Sequence, residues 1–288
     1  MAGGRPSYQQ PLPPRGARLT PQGRSGVFRV PVAGGSIEIE VAGAGPPILL
    51  LHGWALDRRI WRPQVEGLQD RFTIVTVDRR GFGRSSAPPG LDREPDDLIA
   101  IRRFLALDPM LIVGMSQGGR VALHFAQAHP ALISGLVLDG APLDGFQPGP
   151  RPDETIPLDR FAALARGGEL ARMKALWLAH PLMHAGSTAV ERALDPILAD
   201  YEARDLIAEA PRAMTPLAGD LSDIAVPALV ITGEHDTRWR QLVGDALAYG
   251  LPNSRRAVIA GGHHLCSLSH PAEYNAMLAG FAREVAGA

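Results

Sequence analysis

The chain has 288 residues, of which 45% are hydrophobic and 20% charged, and its formal net charge is −1. This length suffices for one large core, or for a core with a smaller insertion, and the balanced charge gives no overall field that would attract nucleic acid or a membrane surface. The single cysteine, Cys266, excludes internal disulfides and cysteine-rich metal sites. It also permits a reducing compartment, and we expect a cytoplasmic protein. No apolar run reaches the roughly 18 residues that a membrane-spanning helix needs.

The N-terminal segment, residues 1–26, differs in composition from the rest of the chain. It contains four arginines, no acidic residue and several prolines and glycines. It also lacks the apolar stretch of a signal peptide. This composition predicts a disordered tail over residues 1–26, with binding to an acidic partner as the alternative.

Short apolar runs and helical patterns then alternate along the chain. Residues 27–32 and 36–41 are predicted to form an antiparallel pair of strands, because apolar and acidic residues alternate in the second one. The other predicted strands, most of them continuously apolar as in strands buried on both faces, cover residues 47–51, 72–77, 110–113, 136–138, 228–232 and 256–259. Helical patterns cover residues 59–68, about 96–107, 117–127, 238–249 and 271–285. This alternation predicts an α/β protein with a mostly parallel sheet and helices on both faces.

Residues 145–224 break this alternation. They open with a proline-rich stretch and continue with three helical patterns and no convincing strand, over residues 158–165, 169–179 and 190–207. We therefore predict a helical cap over residues 145–224, inserted into a core formed by residues 27–144 and 225–288.

The most informative motif is Gly114-Met115-Ser116-Gln117-Gly118, which joins a predicted strand to a predicted helix. A G-x-S-x-G sequence in this context is typical of a nucleophile elbow, a tight turn that lifts the serine hydroxyl clear of the sheet. The glycines remove side chains that would collide with neighbouring elements, and the backbone N–H of Gln117 would face a developing oxyanion. A glycine-rich structural turn is the alternative.

A serine nucleophile needs a base, and the base needs an acid that orients it. Asp236 follows the penultimate predicted strand and is the preferred acid, with Glu234 and Asp139 as alternatives. The loop after the last strand contains two adjacent histidines, His263 and His264. The residues alone leave the choice between these two bases open.

In order and spacing, these segments resemble the α/β-hydrolase fold superfamily over roughly residues 27–145 and 225–287. The resemblance implies an α/β-hydrolase fold, with a mostly parallel central sheet flanked by helices, and it does not extend to the predicted inserted helical cap. It favours His264 as the catalytic base, because Pro271 follows it by seven residues and opens the last helix as in that family.

The resemblance also extends to two loops. The residue after the His-Gly pair supplies an oxyanion donor in the family, which makes the backbone N–H of Trp54 the expected partner of the Gln117 N–H. Residues 78–85 resemble the D-x-R-G-x-G-x-S loop of the same family, and we expect them to be structural, with Asp78 and Arg80 anchoring the turn.

Within the superfamily, the chain is similar to serine esterases, enol-lactonases and cofactor-free perhydrolases. This resemblance implies that a small carboxylic ester or lactone is cleaved through an acyl-enzyme on Ser116, with no metal or organic cofactor. A carbon–carbon bond hydrolase or perhydrolase of the same fold, and a non-catalytic ligand-binding member, are the alternatives. Serine at the nucleophile position argues against haloalkane dehalogenases and epoxide hydrolases. The expected partner is a small-molecule substrate rather than nucleic acid or membrane, and the oligomeric state is left open.

Three side chains are candidates for substrate contact. Met115 adjoins the nucleophile, while Trp177 and Met183 lie in the predicted cap and could form an apolar acyl site. For the last two, packing between the cap helices is the alternative.

Overall fold

Eight strands form one sheet in the part of the chain that the computed structural model describes, which comprises residues 25–107, 109–146, 149, 155–184, 186–208, 214, 217 and 220–287. The strands are β1 (Gly26–Val32), β2 (Gly35–Ala42), β3 (Pro47–Leu51), β4 (Thr73–Asp78), β5 (Met110–Met115), β6 (Ile133–Asp139), β7 (Ala228–Gly233) and β8 (Ser254–Ile259). Their order across the sheet is β1-β2-β4-β3-β5-β6-β7-β8. β2 pairs antiparallel with β1 and β4, and the other neighbouring strands are parallel. The predicted mostly parallel sheet is therefore confirmed. The proposed tail, apart from residues 25 and 26, lies outside the described residues.

Helices cover both faces of this sheet. They are α1 (Arg62–Leu68), α2 (Glu94–Leu105), α3 (Gln117–Ala128), α4 (Leu158–Arg166), α5 (Leu170–Leu178), α6 (Thr188–Asp200), α7 (Arg204–Ile207), α8 (Arg238–Gly250), α9 (Cys266–Ser269) and α10 (Pro271–Ala286). On one face, Leu50 and Val113 belong to a core shared with α1, α10 and the helices between β6 and β7. On the other face, Leu49 and Ile112 share a core with α2, α3 and α8. Because both faces are covered, β3 and β5 are apolar at nearly every position. None of the helices in the described ranges is long and apolar enough to cross a membrane.

The segment between β6 and β7, which we call the inserted segment, contains α4 to α7 within residues 155–208. The single helix predicted over residues 190–207 is wrong, because the chain is interrupted between α6 and α7, where Tyr201 is extended and Ala203 has a left-handed φ of 55°. Tyr201 is buried and stacks on Phe82 of the core, with 6.3 Å between the ring centroids. This tertiary contact outweighs the local helical pattern, since helix propensity is only a weak preference.

The loop after β4 is anchored by charged side chains. Asp78 accepts hydrogen bonds from the backbone N–H groups of Arg58 and Arg84, at 2.9 and 2.8 Å. Arg80 makes a two-pronged contact with Asp97 of α2, with both N–O distances at 2.7 Å. These contacts support the structural role expected for this loop.

Candidate active site

Ser116 lies in a strained turn between β5 and α3. Its φ of 50° and ψ of −120° are unusual for a residue with a side chain, and such a conformation costs on the order of 1–3 kcal/mol. A Cβ added at Gly114 would lie 2.5 Å from the carbonyl oxygen of Gly118. A Cβ added at Gly118 would collide with the backbone carbonyl of Leu51. The two glycines of the motif therefore allow α3 to pack closely enough for the turn to form.

Asp236 and His264 are joined by a buried hydrogen bond. Asp236 lies in the loop after β7 and His264 in the loop after β8, and 2.9 Å separates Asp236 Oδ2 from His264 Nδ1. Their exposed fractions are only 5% and 4%. The other carboxylate oxygen accepts a hydrogen bond from the backbone N–H of Thr237 at 2.7 Å. With Nδ1–H donating to Asp236, His264 Nε2 is left as the proton acceptor.

The serine turn and the histidine lie against the same piece of backbone at the end of β6. The backbone N–H of Ser116 donates to the carbonyl of Asp139 at 2.7 Å. The next residue, Gly140, has a φ of +54°, and a Cβ there would lie 2.7 Å from the His264 ring. Among the described hydrogen bonds none joins Ser116 Oγ to His264, and in unliganded active sites such bonds are often long.

Replacing Asp236 by asparagine is expected to lower kcat by about 10⁴-fold, because the amide cannot hold His264 in the tautomer with Nδ1 protonated. Steady-state kinetics on an ester substrate would measure this. Glu234→Gln is the matched control, since Glu234 accepts from the backbone N–H of Gly261 instead. A near-normal rate for Asp236→Asn would move the orienting role to another acid.

The two other candidate acids contact different groups. Glu234 Oε2 lies 2.8 Å from the Gly261 nitrogen. Asp139 is fully buried and accepts a hydrogen bond from the Cys266 thiol at 3.4 Å, and burial raises the pKa of its carboxyl to about 7. Among the described contacts, the carboxylate bound to His264 is that of Asp236.

His263 lies in a separate group of histidines. Its ring centroid is 4.5 Å from that of His184 in the inserted segment and 5.4 Å from that of His235. Partial burial and these two neighbouring rings lower the pKa of His263. Across the described residues, no group of three or more His, Cys, Asp or Glu side chains is arranged to hold a metal ion.

The expected oxyanion donors, the backbone N–H groups of Trp54 and Gln117, flank the serine turn. A Cβ added at Gly53 would lie 3.3 Å from the Cβ of Ser116, so the loop after β3 runs close to the nucleophile. Gln117 is the first residue of α3, where a helix N–H has no partner within the helix. Donation from these two N–H groups to a bound carbonyl oxygen stays a prediction.

Arg79 links the two loops that carry these expected donors, which we call the oxyanion loops, and no motif in the sequence predicted this contact. Its guanidinium donates to the carbonyl of His52 at 3.0 Å and to the side-chain oxygen of Gln117 at 3.1 Å. It also forms a buried two-pronged pair with Glu94, at 2.7 and 2.8 Å. Burial and the Arg79 charge lower the pKa of His52 to about 3, so His52 is a neutral support. The fold brings Arg79 and Glu94 together, and the spacing of these residues in the sequence does not indicate that they pair.

Arg79→Met is expected to destabilise the protein by about 3–5 kcal/mol, because it leaves the Glu94 carboxylate buried without its cation. Urea denaturation followed by circular dichroism would measure the free energy of unfolding. Arg93→Met is the control, because Arg93 precedes Glu94 in the chain and is exposed. Surface substitutions usually change the free energy of unfolding by less than about 0.5 kcal/mol. Equal stabilities for Arg79→Met and Arg93→Met would contradict a structural role for the pair.

The candidate substrate residues are all buried. The sulfur of Met115 lies beneath Gly53, where an added Cβ would approach it to 2.7 Å. Trp177 packs edge-on against Trp54, with 4.7 Å between the ring centroids, and Met183 is 3% exposed in the same core. Contact between these side chains and a substrate stays a prediction. A small cavity of about 40 Å³ adjoins Trp54 and Gln117 directly.

The fold and this arrangement of residues agree with the comparison to known families. The sequence model of the α/β hydrolase fold matches residues 46–271. The chain therefore belongs to the α/β-hydrolase fold family, and the resemblance noted from its motifs is confirmed.

Individual relatives in this family are hydrolases by name. The pimeloyl-(acyl-carrier protein) methyl ester esterase of Stenotrophomonas maltophilia is 31% identical over 263 residues, which cover 85% of this chain and 96% of that protein. A protein of Azorhizobium caulinodans with the provisional name carbamate hydrolase RutD is 30% identical over 263 residues, 85% of this chain and 94% of that one. Among solved structures, a thermophilic esterase from Thermogutta terrifontis matches with a TM-score of 0.77 at 25% identity, covering 91% of this chain and 99% of that chain.

Proposed function

We propose that this protein is a serine hydrolase that cleaves a small carboxylic ester or lactone through an acyl-enzyme on Ser116. The observation that carries the proposal is the buried Asp236–His264 hydrogen bond beside a serine in a strained strand-to-helix turn. Backbone strain of this kind clusters at functional sites. Serine, acid and histidine also follow one another along the chain in the order used by hydrolases of this fold.

In the proposed reaction, Ser116 Oγ attacks the carbonyl carbon of the substrate while His264 Nε2 takes the hydroxyl proton. The N–H groups of Trp54 and Gln117 stabilise the oxyanion, and losing one such donor typically costs about 2.7–4 kcal/mol in the barrier. His264 then gives its proton to the leaving alcohol oxygen, and the acyl-enzyme remains. A water molecule deprotonated by His264 hydrolyses the acyl-enzyme and regenerates Ser116. Asp236 keeps the imidazole in the required tautomer and orientation.

The relatives and the cavity support a small ester as the substrate class. One relative is named for the cleavage of a methyl ester, and the matching solved structure is an esterase. A carbamate, named for the other relative, also presents a carbonyl carbon to a nucleophile. The cavity beside Trp54 and Gln117 is small, about 40 Å³, which favours a short substrate.

A series of p-nitrophenyl esters from acetate to octanoate tests the proposal, with a fluorophosphonate label applied to the same preparation. We expect turnover that is fastest for short chains and is lost as the label attaches, with peptide mapping placing the label on Ser116. Heat-denatured protein is the control for non-specific labelling. The proposal would be wrong if the protein hydrolysed neither esters nor lactones and Ser116 stayed unlabelled. Such a result would indicate a non-catalytic ligand-binding member of the family.

A further inference from the structure

A carboxylate from the inserted segment lies in the cavity beside the oxyanion loops. The cavity, which we call the Asp205 pocket, is lined among others by Trp54, Phe82, Leu91, Gln117, Leu158 and Asp205. Arg80 and Glu94 also line it, so the carboxylate belongs to a wall that combines apolar side chains with a few charged ones. Pockets of this kind bind the body of a ligand through apolar contact and orient it through a few polar groups.

Two neighbours hold the Asp205 carboxylate in place. The indole Nε1–H of Trp54 donates to Oδ2 at 2.6 Å, and the hydroxyl of Tyr201 donates to Oδ1 at 2.6 Å. Two donors aimed at one carboxylate favour its ionised form. The backbone N–H of Asp205 itself is a third donor to the carboxylate. Since a carboxylate offers about four acceptor positions, capacity for one further donor remains.

The charge of Asp205 has no directly bound counter-ion among the described residues. Arg204, next to it in the chain, donates to the backbone carbonyls of Gly83 and Ser85 at 2.8 Å instead. Arg79 is engaged with Glu94 and acts on Asp205 only from a greater distance. Burial accordingly raises the pKa of the Asp205 carboxyl. A buried carboxylate without a paired cation is costly, and a ligand that brings a donor or a cation would remove that cost.

The geometry of the proposed reaction decides which part of a substrate meets Asp205. The leaving alcohol must face His264, because His264 protonates it. The lining of the Asp205 pocket comes from the loops after β3 and β4, the start of α2, the start of α3 and the inserted segment. Neither Ser116 nor His264 is part of it, whereas Trp54 and Gln117, the expected donors to the acyl carbonyl oxygen, are. The acyl chain, which extends away from the leaving group, therefore enters the Asp205 pocket.

We propose that Asp205 is a specificity-determining residue that accepts a hydrogen bond from an ammonium or hydroxyl group on the acyl chain of the substrate. The preferred substrates are then esters or lactones of amino or hydroxy acids rather than of simple fatty acids. This inference rests on the proposed function for the direction in which the substrate lies, and it adds a substrate class to it.

Three methyl esters of nearly equal size test the inference at neutral pH: methyl butanoate, methyl 3-hydroxypropanoate and β-alanine methyl ester. In the last two, a hydroxyl or an ammonium replaces the terminal methyl group of the first. A hydrogen bond to a charged acceptor predicts kcat/KM values about 10- to 100-fold higher for the two esters with a donor. Equal kcat/KM for all three esters in the wild-type protein would contradict the inference.

Asp205→Asn tests whether this preference comes from the carboxylate. We expect the ratio of kcat/KM for β-alanine methyl ester over methyl butanoate to fall towards one. Glu202→Gln is the matched control, because it removes an exposed carboxylate of the same segment that does not line the pocket, and it should retain the preference. A fall in kcat that is equal for all three esters, with the ratio unchanged, would mean that Asp205 only positions Trp54 and would overturn the proposal.

A binding measurement separates this inference from the proposed function. Ser116→Ala protein is titrated with β-alanine methyl ester and with methyl butanoate while tryptophan fluorescence is recorded, since Trp54 contacts Asp205 directly. Tighter binding of the amino ester, lost when Asp205→Asn is added, supports the inference even if no ester is turned over. Equal binding of the two esters contradicts it, even if wild-type protein hydrolyses both. Loss of Ser116-dependent turnover of every ester would contradict the proposed function alone.

Discussion

Ser116→Ala is expected to lower kcat for ester hydrolysis by about 10⁶-fold, the loss seen when the nucleophile of an acyl-transfer triad is removed. Without Oγ, no acyl-enzyme can form, and the oxyanion donors and the binding pocket alone supply what catalysis remains. Ser116 immediately precedes α3, and its exposed fraction is 8%. Alanine fits the same space, so we expect the fold to persist. The measurement is the steady-state rate on the best p-nitrophenyl ester.

The control for this variant is a serine outside the site. Ser222 is exposed and lies between the inserted segment and β7. Ser222→Ala should keep the wild-type rate, and circular dichroism should show that both variants are folded. If folded Ser116→Ala retained most of the activity, hydrolysis would proceed by another route and the acyl-enzyme mechanism would be wrong.

His264→Ala should cause a loss of similar size, about 10⁶-fold in kcat, because the histidine acts with Ser116 as one unit. Its Nδ1 is bound to Asp236 at 2.9 Å, and its ring lies against Gly140 at the end of β6. Removing the ring leaves the serine without a base and the leaving group without an acid. Added imidazole should restore a small part of the activity by occupying the space left by the side chain.

His263→Ala provides a stringent comparison, since the two histidines are adjacent in the sequence. His263 contacts the rings of His184 and His235 rather than Asp236. We therefore expect His263→Ala to change kcat much less than His264→Ala. If His263→Ala were the more damaging change, the base would be one residue earlier than proposed, and the triad would need to be reassigned.

The strands and the turn at Ser116 could be predicted from the sequence, because they depend on residues that are close together along the chain. β3 and β5 were predicted from continuous apolar runs, because a strand covered on both faces must be apolar throughout. The turn at Ser116 was predicted from Gly114 and Gly118, and the structure shows why: a Cβ at either position would collide with backbone. The family resemblance was likewise carried by short motifs, and the match over residues 46–271 confirmed it.

Contacts between side chains that are distant in the sequence depend on how the folded chain packs. Arg79 contacts both oxyanion loops and Glu94, and no spacing in the sequence signals these contacts. The interruption between α6 and α7 went unpredicted because burial of Tyr201 against the core outweighs local helical preference. Asp205 lies 151 positions from Trp54 along the chain yet 2.6 Å from its indole nitrogen. Local periodicity and short motifs were enough to predict the fold, and together with the family resemblance they led to the proposed triad of Ser116, Asp236 and His264. The side chains that position the oxyanion loops and line the pocket were decided by packing, because hydrogen bonds and charge pairs between distant segments exist only once the chain has folded.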